Sequence, residues 1–191
     1  MIDPKYFGKV REELLAYAEK RREVIKMTGD AQHQSKRAIF ALQRDDAAEA
    51  KKCLDEAGSL LMSVNKKFQK DQRLFNEGSY RASLEEFAEA MLFNQFLSNK
   101  SIGEIKGFKV DPDIYISGLA DVPGEILRYA IKSATERNFL MVKKCYDVCE
   151  RIISEMVDMD LTGYNRQKFD QAKGALNKLQ QVVYEVSLQQ K

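Results

Sequence analysis

Helix breakers are scarce in this chain of 191 residues. Its three prolines stand at 4, 112 and 123, and only ten glycines are spread among the rest. Ala, Leu, Glu, Lys, Gln and Arg dominate, the residues that lose least on entering a helix. No segment alternates apolar and polar residues in the way a half-buried strand would. An all-α fold follows, with the breakers and caps marking where helices end.

Seven helices are expected. The first covers 3–27, with Pro4 in its first turn. Thr28-Gly29-Asp30 breaks it, and a second covers 31–44. Asp45-Asp46 opens a third to Asn76, its acids facing the positive end of the helix dipole. Later helices cover 80–98, 112–136, 138–159 and 164–188, and "SIGEIKGFKVDPD" at 101–113 is the one substantial loop. No fixed-period repeat and no linker is visible, so one domain over 1–191 is expected.

Several chemistries are excluded. His33 is the only histidine, so a histidine-rich metal site is impossible. Cys145 and Cys149 lie one helical turn apart but lack a second Cys/His pair, and they read as small buried thiols. No glycine-rich phosphate loop is present. The first residues, "MIDPKYFGKVREELL", are charged throughout, and no apolar run nears the roughly 20 residues a membrane span needs. A cytoplasmic protein without an organic cofactor or a membrane partner is expected. Any catalysis must then rest on carboxylates.

Two carboxylate pairs stand at helical spacing. Glu86 and Glu89 are three apart in "SLEEFAEAMLFNQFL", and Asp121 and Glu125 are four apart in "GLADVPGEILR". Either spacing puts both acids on one helix face. Chance alone gives about four such pairs at any one spacing in a chain this acidic. The apolar surroundings of the first pair, from Phe87 to Leu97, make it distinctive. Like charges beside buried apolar surface need a neutralising partner, and a divalent cation held by oxygens is one. Asp121 is read either as a helix cap or as part of a continuous helix that Pro123 bends. Glu125 has Arg128 within reach as an ion-pair partner.

Residues 1–44 carry ten Lys/Arg against six Asp/Glu, while the whole chain is only +2. Lys36 and Arg37, with Arg21, Arg22 and Lys26 behind them, are candidate phosphate contacts. Lys36 stands one turn before Phe40, and an aromatic beside a cation suits single-stranded RNA. Equally, Phe40 could be core, with Lys36 at its edge.

Four stretches in order resemble the translin family, in its translin-associated factor X branch. They are "QSKRAIFALQR", "LEEFAEAMLFNQFL", "YISGLADVPGEILRYAIKS" and "YNRQKFDQAKGALNKLQQVVYEVSL". The resemblance implies a seven-helix bundle assembled into a hollow, roughly octameric shell, here of one chain type as in archaeal relatives. It implies RNA as ligand and, for this branch, a metal-dependent endoribonuclease that cuts single-stranded or small RNA. The branch's acids fall on Glu86, Glu89, Asp121 and Glu125, which would hold Mg2+ or Mn2+ and so supply the catalytic group. Pro123 replaces a threonine of the family pattern. Two other readings stay open: a protein that binds single-stranded RNA or DNA without cutting it, and a purely structural helical assembly.

Overall fold

The structure, a computed structural model, describes residues 1–189. Among these residues there are seven helices: α1 (Pro4–Gln43), α2 (Ala47–Phe68), α3 (Gln72–Phe75), α4 (Gly78–Leu97), α5 (Pro112–Thr135), α6 (Phe139–Val157) and α7 (Gly163–Gln189). There are no strands among the described residues. The all-α expectation holds, but the first three boundaries differ from it.

The expected break at Thr28-Gly29-Asp30 does not occur. α1 runs unbroken for 40 residues, about 60 Å. Asp3 starts it, its carboxylate accepting from the backbone N–H of Lys5 and Tyr6. The reason for its continuity is the buried stripe Val24, Thr28, Ala31, Ser35, Ala38 and Leu42, which crosses the supposed break in phase. Thr28 and Ser35 satisfy their hydroxyls by donating to the carbonyls of Val24 and Ala31, one turn back. Gly29 lies on the exposed face.

The expected helix from 45 to 76 is two helices, α2 and α3, after a turn at Asp45. Asp45 sits in a left-handed turn with φ +60°. Asp46 caps α2, accepting from the N–H of Glu49 at 3.0 Å. α2 stops at Phe68 although no proline or glycine marks the place. Phe68 and Leu74 are both buried. Six residues apart, they would point about 120° away from each other on one continuous helix. The turn at 69–71 brings Leu74 back to the core.

α4 is the centre of the bundle. It packs against α1, α2 and α5, which is why it is apolar nearly all round. α5 packs in turn against α4, α6 and α7. Gly118 sets how closely α4 and α5 approach. A Cβ there would lie 2.7 Å from the Glu85 carbonyl oxygen and 2.8 Å from the Ala88 Cβ. The loop before α5 is pinned by Gln95, which accepts from the Gly103 N–H and donates to the Glu104 carbonyl. Phe108 from this loop packs on Phe87, with ring centroids 5.2 Å apart.

α5 is continuous through Pro123. Its cap is Asp111, which accepts from the Asp113 N–H at 3.0 Å, with Pro112 in the first turn. Asp121 is therefore inside a helix and caps nothing.

Two glycine substitutions separate this architecture from its alternatives. Gly29→Ala has open space around its Cβ. It should raise stability by about 0.5–1 kcal/mol, because alanine stiffens an intact helix. A loss in chemical denaturation would mean that α1 is broken there. Gly118→Ala must force α4 and α5 apart, and should lower stability by about 1–3 kcal/mol in the same measurement.

Candidate active site at the α4–α5 seam

The close approach at Gly118 brings the two carboxylate pairs to one seam. Glu86 and Glu89 project from α4, and Asp121 and Glu125 from α5. Glu89 lies at the centre and is only 8% exposed. Burial pushes its carboxyl up to about 9, and the charges of Asp121, Glu86 and Glu125 add to the shift. Burial also raises Glu86, opposed by Lys36. Asp121 is raised by burial against the pull of Lys168. The four acids thus share one electrostatic site.

Each of the outer acids has a partner. Lys36 of α1 stands 3.7 Å from Glu86. Glu125 accepts from the Gln43 side chain at 2.9 Å and pairs with Arg128 at 3.2 Å, the pairing its spacing suggested. Asp121 is bonded to the ammonium of Lys168, which also binds Glu85. Among the described residues Glu89 has no ion-pair partner; burial and the neighbouring acids raise it, and Lys168 opposes them.

Lys168 and Glu85 are the residues that sequence reasoning missed. α7 is docked on α5 by Asn165, whose amide oxygen accepts from the Ser117 hydroxyl and whose amide nitrogen donates to the Asp113 carbonyl. One turn on from this contact, Lys168 on α7 meets Asp121 on α5, so the two helices run alongside in the same direction. Tyr164 adds a hydroxyl bond to Glu85 at 3.0 Å. A faint signal exists: Lys168 lies one turn before Ala172 on the flank of the stripe Phe169, Ala172, Leu176 and Leu179. A lysine at the edge of an apolar face needs an acid partner if it is buried.

The donor set fits a hard divalent cation in kind. It is four carboxylates, one of them buried and raised by the charges of the other three. Among the described residues, however, no three Asp, Glu, His or Cys side chains are drawn together closely enough to hold a metal ion as they stand. The carboxylates are shared out instead among lysines, an arginine and a glutamine.

The basic residues do not form one patch. Lys36 faces the acids. Arg37 pairs with Glu49 at 2.5 Å, and Arg21 with Glu77 at 2.7 Å. Arg22 and Lys26 are exposed. Arg21 is about 22 Å along α1 from Lys36. Phe40 is 57% exposed, so it is not core. The three cysteines are buried and free, as expected of small structural thiols.

The sequence profile of the Translin family matches residues 19–190. The chain belongs to the translin family. It is 27% identical to mouse translin-associated protein X over 66% of its own length, and it spans 58% of the length of that relative. Solved structures agree on the fold. Apo-NeC3PO superposes with a TM-score of 0.87 at 22% identity, covering 97% of this chain and 99% of that one. AfC3PO gives the same score and identity over 96% and 97%, and AfC3PO with duplex RNA gives 0.85 over the same shares. No helix among the described residues is long and apolar enough to cross a membrane.

The raised Glu89 has a consequence for stability. Its folded carboxyl titrates far above its unfolded value. The folded state therefore prefers the protonated form, and loses stability as pH rises from about 4.5 towards 9. With EDTA present, Glu89→Gln should melt several degrees above the parent protein at pH 8.5. The gap should shrink as pH falls to 5. A gap independent of pH would show that Glu89 is not the buried acid of the seam.

Proposed function

We propose that this protein is a divalent-metal-dependent endoribonuclease acting on single-stranded or small RNA, assembled from copies of itself into a shell. One observation supports this most: four carboxylates from two helices share a largely buried site, with lysines on either side. Glu86, Glu89, Asp121 and Glu125 would hold one or two Mg2+ or Mn2+ ions. When bound, such an ion supplies the Lewis acidity and water activation that phosphodiester hydrolysis requires. The chain's own part is to position. Gln43 and Arg128 hold Glu125, and Lys168 holds Asp121, so the acids keep their orientation without substrate. Lys36 sits at the mouth of the site, half-exposed, where a phosphate could draw it from Glu86. Arg21, Arg22, Lys26 and Arg37 would steer the strand more weakly.

RNA as ligand is supported by the likeness to AfC3PO solved with duplex RNA. Duplex and single-stranded substrates should therefore be compared directly. Self-assembly is supported by apolar side chains exposed along α1, among them Tyr6, Phe7, Leu14 and Leu15. A second reading is favoured by the ion pairs themselves: with Asp121 and Glu86 already neutralised by lysines, the protein could bind RNA without cutting it.

Cleavage of a short labelled RNA separates the two. It should require added Mg2+ or Mn2+ and stop with EDTA. Glu89→Ala and Asp121→Ala should each reduce it by about 100-fold or more, with helicity unchanged. Cleavage that survives both substitutions would remove these acids from the chemistry. Tight binding without products would favour the binding reading. Lys36→Ala should lower the salt dependence of RNA binding by about one counterion.

A further inference from the structure

The ammonium of Lys168 lies between Asp121 of α5 and Glu85 of α4, and its side chain is only 12% exposed. Of these two acids, Asp121 belongs to the proposed metal set and Glu85 does not. The same Glu85 oxygen that meets Lys168 also accepts from the Tyr164 hydroxyl at 3.0 Å. Tyr164, Asn165 and Lys168 all belong to the first two turns of α7. That segment is fixed on α5 by the Ser117–Asn165 contact of 2.5 Å. The lysine is thus placed by the fold, not left to solvent.

We propose that Lys168 is a positioning residue and the resident counter-cation of the site: it neutralises Asp121 until a divalent ion takes its place, and then rests on Glu85. The inference deepens the metal-dependent reading above and rests on it. A divalent ion on the Asp121 carboxylate would stand within a few ångströms of the ammonium and repel it, so the two compete. The competition has two effects. Asp121 is kept in place and neutralised when no metal is bound. It also sets a threshold, because the ion must displace a well-held lysine. Glu85 gives the displaced ammonium a second, half-buried partner and keeps it beside the site.

Mn2+ binding at pH 7.5, followed by electron paramagnetic resonance of the free ion, tests this without any RNA. Lys168→Met should bind Mn2+ about tenfold more tightly than the parent protein, because the competing charge is gone. Lys168→Arg keeps the charge and should stay within about threefold of the parent. Glu85→Gln should weaken Mn2+ binding several-fold, since the ammonium is then left wholly on Asp121. Lys173→Met, on the same helix but paired with Asp170, should leave the affinity unchanged.

Should Lys168→Met fold only when Mn2+ is added, the metal has replaced the ammonium and the proposal stands. Should it not fold at all, the Glu85→Gln arm carries the test. Equal or weaker binding by a folded Lys168→Met, in a parent protein that does bind Mn2+, overturns the role of Lys168 alone. Equal binding by Glu85→Gln and the parent also overturns it. Binding by Lys168→Met but not by the parent supports it. No Mn2+ binding by either protein overturns both this inference and the metal-dependent reading.

Discussion

The approach of α4 to α5 at Gly118 is the constraint on which the site depends. With no side chain at that position, the backbone of α4 at Glu85 and Glu89 lies against α5. Glu86 and Glu89 then meet Asp121 and Glu125 across a seam that excludes most water. The same burial creates the problem that the site must solve. Four carboxylates at low hydration repel one another, and Glu89 at the centre is driven towards its neutral form. Lysines from α1 and α7 answer this from opposite sides of the bundle.

This arrangement explains why helices that carry none of the four acids still matter to the site. α1 carries Lys36 to Glu86 and ends in Gln43, which reaches Glu125. The left-handed turn that follows puts Asp45 against Tyr129 and Lys132 of α5. α7 delivers Lys168. The outer helices thus fix the ionisation and aim of acids borne by the inner two. The bundle is a scaffold whose polar contacts converge on one seam.

Much of the fold was legible in the residues. Low proline content, amphipathic periods and the loop at 101–113 announced helices, and α4 to α7 fall close to their expected bounds. The apolar run around Glu89 set the first carboxylate pair apart; spacing alone left the second ambiguous, and the family resemblance joined the two. The misreadings came from treating local breakers as decisive. Thr28-Gly29-Asp30 looks like a stop, yet the buried stripe from Val24 to Leu42 continues through it and packing overrides the weak propensity of one glycine. Conversely, nothing local marks the end of α2. The chain turns there so that Leu74 can return to the core.

The sequence alone determined that the chain is helical, and which acids share a face within each helix, because both are set by the 3.6-residue period and short-range chemistry. Only the tertiary structure decided which faces meet. Lys168 lies 47 residues from Asp121 in the chain, and no periodicity links positions so far apart. Its partnership arises because Asn165 docks α7 on α5 in one register, and a burial cost shared by several helices can be balanced only once they are packed together.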